Sequence, residues 1–169
     1  MNKKPFLANS HNKQKFIDLL WSVLEQNGLE VKQSPAVADY DIAISALNVA
    51  QTSPVVVVAD DTDILVLLLY HFSVHMNTVY MKTSSRIIDI GKMKQELGSV
   101  TDHLLFLHSI TGCDTTSRPY GIGKMSALIK QKMLEQFSKI FVEEGKDSTE
   151  IECAGIKALS ILYCCSNDL

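Results

Sequence analysis

The chain has 169 residues, 46% of them hydrophobic and 21% charged, which is enough to bury one core and is ordinary for a soluble globular domain. Its net charge of -3 excludes a global basic field for nucleic acid, so any such attraction has to be local. The longest apolar run, Ile64 to Leu69, is far shorter than the roughly 18 residues of a membrane span. Met1 to Phe6 has a basic start without the apolar stretch of a signal peptide, so a soluble intracellular protein is expected, the nucleus included.

In chain order, Phe16, Ile17, Leu20, Val23 and Leu24 share one helical face and predict an amphipathic helix over 12–26. Asn9 or Ser10 can cap its start and Asn27-Gly28 can end it, with Trp21 beside the stripe expected in the core. Leu29 to Lys32 reads as a short strand, and Ser34-Pro35 opens a second helix that runs to about Gln51. The run Val55 to Ala59 is β-branched without alternation, the pattern of a central strand buried on both faces of a parallel sheet. A helix from Ile64 to His71 follows it.

Beyond it, Thr78 to Lys82 and Arg86 to Ile90 read as strands, and Lys92 to Leu97 and Thr101 to Thr111 as helices stopped by Gly98 and Gly112. A loop over 113–123 leads to a helix from Lys124 to Phe137, a polar break at 143–148 and a last helix from Thr149 to Tyr163. Alternating strands and helices predict an α/β sandwich with a mostly parallel sheet. The four cysteines, Cys113, Cys153, Cys164 and Cys165, form no C-x-x-C pair and are read as reduced, mostly structural thiols. His71, His75 and His108 have no partner at a telling spacing and are expected to face solvent or cap helices.

Two charge asymmetries stand out. Asp60, Asp61 and Asp63 crowd three negative charges into four residues, which costs Coulomb energy unless water or a cation relieves it. Residues 115–140 carry Arg118, Lys124, Lys130, Lys132 and Lys139 against Glu135 alone, a local +4. The aspartates at 61 and 63 follow a strand, where open parallel sheets bind ligands, and carboxylates are the preferred ligands of hard divalent cations. The plainer alternative is a turn or helix cap, with Asp61 accepting from the amides of the next helix.

The segment from Leu104 to Asp114, with Gly112-Cys113-Asp114 at its end, and the closely following Gly121-Ile122-Gly123-Lys124 resemble the PIN-like, flap-endonuclease superfamily. Within it the chain is most similar to PIN-like proteins of animals associated with mobile elements, through Asn12 to Ile17, Asp61-Thr62-Asp63 and Gly112 to Ser117. The resemblance covers roughly residues 6 to 163. It implies a three-layer α/β/α sandwich followed by a helix-two-turn-helix-like segment. One domain over 1–169 is expected, with an α/β core at about 6–111, the G-x-D and G-I-G segment at about 112–137 and a closing helix at about 149–163.

It further implies a divalent-metal-dependent, structure-selective nuclease that uses Mg²⁺ or Mn²⁺ on Asp39, Asp61, Asp63 and Asp114. Backbone contacts to DNA or RNA would come from Arg118, Gly121, Ile122, Gly123 and Lys124. Where the superfamily has two acids spaced by two, this chain has Val37 and Asp39. Asp41 is a doubtful substitute, since residues two apart on an ideal helix diverge by about 200°. The strand and acids that begin a complete domain of the superfamily do not appear before Phe6, so the resemblance implies a partial domain. A binding module with a decayed metal shell is the alternative, and a haloacid-dehalogenase-type phosphatase ranks third.

Overall fold

The computed structural model describes residues 6, 8–35, 37–143 and 145–164. The chain divides into two compact units, Met1–Ala38 and Asp39–Leu169. In the first unit, helix α1 (Ser10–Gln26) is capped by Asn9, whose side chain accepts from the amides of His11 and Asn12. Asn27 and Gly28 end it, Gly28 at φ +74°. No residue of α1 is buried, so Trp21 is only half-buried rather than core. The expected strand at Leu29 to Lys32 does not form. The Leu29 amide donates instead to the Leu24 carbonyl, closing the end of α1.

The second unit holds the candidate site residues Asp39, Asp61, Asp63 and Asp114. Helix α2 (Ala38–Val49) opens with Asp39 and Asp41 in its first turn, three residues later than the Ser34-Pro35 signal suggested. Strand β1 (Val55–Val58), helix α3 (Thr62–His71) and strand β2 (Val79–Lys82) form a β-α-β unit, with β1 and β2 parallel from Val55 opposite Val79 to Val58 opposite Lys82. Strand β3 (Ile87–Asp89) returns antiparallel, with Met81 opposite Ile88. The three strands stand in the order β1-β2-β3.

Two expectations for the sheet are corrected. It is mixed rather than mostly parallel, because the short Thr83 to Arg86 connection allows only a hairpin between β2 and β3. The central strand of the three is β2, and β1 lies at an edge with Val56 58% and Val58 76% exposed. Val57, Val79 and Met81 are buried on one face, so β1 alternates in burial although its sequence does not. A run of valines signals strand propensity without saying which face is covered.

Asp89 caps helix α4 (Ile90–Leu97) by accepting from the amide of Lys92, and Gly98 at φ +56° ends it. The segment expected as one helix over 101–111 is a 3-10 turn (Gly98–His103) followed by helix α5 (Leu104–Ile110). The helix expected over 124–137 is likewise two helices, α6 (Lys124–Ile129) and α7 (Gln131–Val142), broken at Lys130. Lys130 Nζ donates to the carbonyls of Ile161 and Leu162, capping the end of helix α8 (Ser148–Leu162). The break lets α7 bury Leu134 and Phe137 in one cluster with Ala154, Ala158 and Leu162 of α8.

Two packing clusters result. One gathers α2, the sheet, α3 and α4 around Leu68, Met81 and Ile90, and the other gathers α5 to α8 around Leu107, Ala127 and Leu134. Partly buried Val100 packs against both. Fully burying one Leu- or Ile-sized side chain contributes roughly 1.5–3 kcal/mol, so these clusters fix where β1, α3 and α5 end. Candidate site residues of the sequence, Asp61 and Asp63 after β1 and Asp114 after α5, lie next to these elements. Among the described residues, no helix is long and apolar enough to cross a membrane.

Candidate metal centre

Asp61 stands between β1 and α3. Its side chain accepts from the amide of Asp63 at 2.8 Å, so the plainer cap reading of the sequence is realised. That bond uses one carboxylate oxygen, and a cap is compatible with a metal-facing second oxygen. Asp60 turns elsewhere, accepting from the amide of Ser84 at 2.7 Å and tying the end of β1 to the β2–β3 connection. Asp63 lies in the first turn of α3, half-buried.

Asp39 comes from the start of α2 and Asp114 from the turn after α5. The Asp39 carboxyl is held above the ordinary aspartate range, first by burial and then by the charges of Asp61, Asp63 and Asp114. The fold thus brings Asp61, Asp63 and Asp114 each within electrostatic reach of Asp39. Val37, 55% exposed ahead of α2, offers no ligand atom, and Asp41 is half-buried with an interaction of its own.

The turn that carries Asp114 is tightly built. Cys113 and Thr116 exchange backbone hydrogen bonds, the Cys113 amide also donates to Thr116 Oγ1, and that hydroxyl donates to the carbonyl of Ser109 at 2.7 Å. Gly112, at φ +94°, makes this possible, because a Cβ there would lie 2.7 Å from the Arg118 Cα. Thr115 and Thr116 place hydroxyls 3.3 and 3.2 Å from Cys113 Sγ and hold its thiol below the ordinary cysteine range.

His108 overturns its expectation. It is 9% exposed and its Nε2 donates to Asp63 Oδ1 at 2.8 Å. Its Nδ1 is buried with no hydrogen-bond partner among the described residues. The ligand atoms of Asp63, His108 and Cys113 all lie within 4.8 Å of one another. The signal was present in the sequence: His108 follows Leu104 by four residues, on the face that an apolar helix buries, where an imidazole needs a partner. The described cysteines are free, as expected, but only Cys113 is even half-buried while Cys153 and Cys164 are exposed, so the structural role is not supported; Cys165 lies outside the described residues.

The residues expected to meet nucleic acid divide. Arg118 Nε donates to the carbonyl of Ile122, which rigidifies the turn and leaves the guanidinium beside Gly123. Ile122 is buried in the helical cluster, and its amide donates to the Pro119 carbonyl, so it anchors the turn. Gly121 takes φ +71° with open space around it. Lys124 reaches Thr62 Oγ1 at 3.5 Å, which sets its ammonium beside the residue between Asp61 and Asp63.

Two clefts open near Thr62. One of about 180 Å³ is lined by Asp60, Asp61, Thr62, Thr83, Ser85 and Arg86 among others, so a cation not singled out from the sequence shares a wall with the carboxylates. The other, about 200 Å³, is largely aliphatic, with Leu65, Leu104 and Leu107 inside and Thr62, His108 and Lys124 as its polar groups. Compared with protein-family models, curated proteins and solved structures, the chain matches none.

Proposed function

We propose that this chain is a divalent-metal-dependent, structure-selective nuclease domain of the PIN-like, three-layer type, with Asp39, Asp61, Asp63 and Asp114 holding Mg²⁺ or Mn²⁺. One observation carries the reading. Acids from α2, the start of α3 and the turn after α5 lie near enough that the Asp39 pKa is raised, first by burial and then by the charges of Asp61, Asp63 and Asp114. Such convergence costs folding free energy, because like charges repel in a partly desolvated site. A cation relieves that cost, and all-oxygen donors suit a hard one. When bound there, such an ion would generate a hydroxide nucleophile and stabilise charge on the scissile phosphate.

The chain's own groups supply the rest. Arg86, Lys124 and Arg118 offer positive charge near the carboxylates or the glycine turn, suited to phosphate groups on either side of the scissile bond. Backbone contacts of this kind position a duplex without reading its sequence. The reading places the protein where nucleic acid is, inside the cell.

The test is cleavage of branched and single-stranded DNA and RNA by the full chain with Mg²⁺ or Mn²⁺. Cleavage abolished by Asp61→Asn supports it. Absence of cleavage on all substrates, or cleavage indifferent to Asp61→Asn, overturns it. A second reading, a non-catalytic nucleic-acid-binding module on the same fold, is favoured by Val37 standing where an acid is expected. Binding without cleavage would mark it.

A further inference from the structure

We infer that Asp63, His108 and Cys113 form a distinct position for a borderline-soft transition metal of the Zn²⁺ type, sharing Asp63 with the carboxylate set but selecting a different ion. The donor set is the first ground. An oxygen, an imidazole nitrogen and a thiol sulfur lie within 4.8 Å of one another, and Zn²⁺ accepts all three donor types whereas Mg²⁺ has no use for sulfur. Bonds of about 2.0–2.3 Å at a tetrahedral angle put ligand atoms about 3.3–3.6 Å apart. The Asp63 to His108 separation of 2.8 Å is that of a hydrogen bond, so an ion replacing the shared proton needs an opening of only about half an ångström.

Pre-organisation is the second ground. The Asp61 cap holds the first turn of α3, which carries Asp63. His108 is fixed on α5, nine-tenths buried. Cys113 sits in a turn bonded back to the same helix through Thr116 Oγ1 and the Ser109 carbonyl. The Thr115 hydroxyl beside Sγ is the outer hydrogen-bond partner that a thiolate ligand wants.

His108 would ligate through Nε2, the nitrogen that faces Asp63, with the ring proton of the neutral imidazole on its buried Nδ1. Three protein ligands leave a fourth position for water, as open zinc sites have.

Cobalt(II) titration of the chelator-treated, reduced full chain tests the proposal without reference to cleavage. The expected result is a near-ultraviolet sulfur-to-cobalt charge-transfer band with the intense visible absorption of four-coordinate cobalt, both abolished by Zn²⁺ and untouched by excess Mg²⁺. Cys113→Ser should remove the band, His108→Gln should weaken binding at least tenfold, and a variant with Cys153, Cys164 and Cys165 all changed to serine should keep the band. Asp61→Asn should keep it too, even where that variant loses Mn²⁺ binding and cleavage, so failure of the nuclease reading leaves this result standing. No band in the wild-type chain, or a band that survives Cys113→Ser, overturns the proposal. Circular dichroism checks that His108→Gln folds; if it does not, the half-buried Cys113→Ser decides.

Discussion

Replacing Gly112 with alanine should be much more damaging than replacing Gly121, although both glycines have positive φ. At Gly121, φ is +71° and an added Cβ meets nothing within 4 Å, so the cost is the left-handed backbone alone, about 1–2 kcal/mol. At Gly112, φ is +94° and the added Cβ would lie 2.7 Å from both Cα and Cβ of Arg118. Those neighbours include backbone, which cannot swing aside as a flexible side-chain tip would. Relieving the overlap adds roughly 1–3 kcal/mol, typical of overpacking. The total for Gly112→Ala is about 2–5 kcal/mol, a large share of the roughly 5–15 kcal/mol that holds a domain together.

The entropy that alanine removes from the unfolded chain is common to both variants and cancels in the comparison. Urea unfolding at unchanged m-value should therefore place Gly112→Ala about 1–3 kcal/mol below Gly121→Ala. For a chain of this size that is a further drop in Tm of very roughly 2–12 °C. Equal losses, or a larger loss at Gly121, would refute the tight turn on which Cys113 and Asp114 depend.

Other outcomes follow from single contacts. Asp61→Ala should cost about 1 kcal/mol through loss of the α3 cap, whereas Asp61→Asn should keep stability within about 0.5 kcal/mol because asparagine also caps; paired thermal melts check this. Asp39 has a folded-state pKa above its unfolded value, so its charge opposes folding at neutral pH. Stability from this group should rise as pH falls through the raised pKa toward the ordinary aspartate range. Asp39→Asn should accordingly be more stable than wild type at pH 7, with the advantage fading in acid, as denaturant midpoints over a pH series would show. Lys130→Met should lose about 1.5–3 kcal/mol, because the carbonyls of Ile161 and Leu162 lose a charged donor. Hydrogen exchange at the end of α8 should accelerate with it.

Much of the second unit was legible because its punctuation is local. Gly98 and Gly112 mark ends by positive φ, and periodicity located α3, α4 and α8 to within a few residues, whereas the Asp89 cap was not read. What sequence could not convey was pairing. The valines of β1 are equally suited to a covered or an open face, so neither the edge position nor the exposure of Val56 and Val58 could be read from them. The break at Lys130 was hidden for a similar reason, since its cause is the end of a helix some 30 residues away. Among the site residues the acids stood out because charge next to a strand is conspicuous. His108 and Cys113 did not, because their partner, Asp63, precedes His108 by 45 residues and only the packing of α3 on α5 makes them neighbours.

The central claim is that Asp39, Asp61, Asp63 and Asp114 together bind a divalent ion, and a manganese titration of the full chain by calorimetry tests it most directly. The account predicts saturable binding that weakens at least tenfold in Asp61→Asn and again in Asp114→Asn, in variants that melt like wild type. Absence of Mn²⁺ binding at millimolar concentration, or binding indifferent to both substitutions, would contradict it.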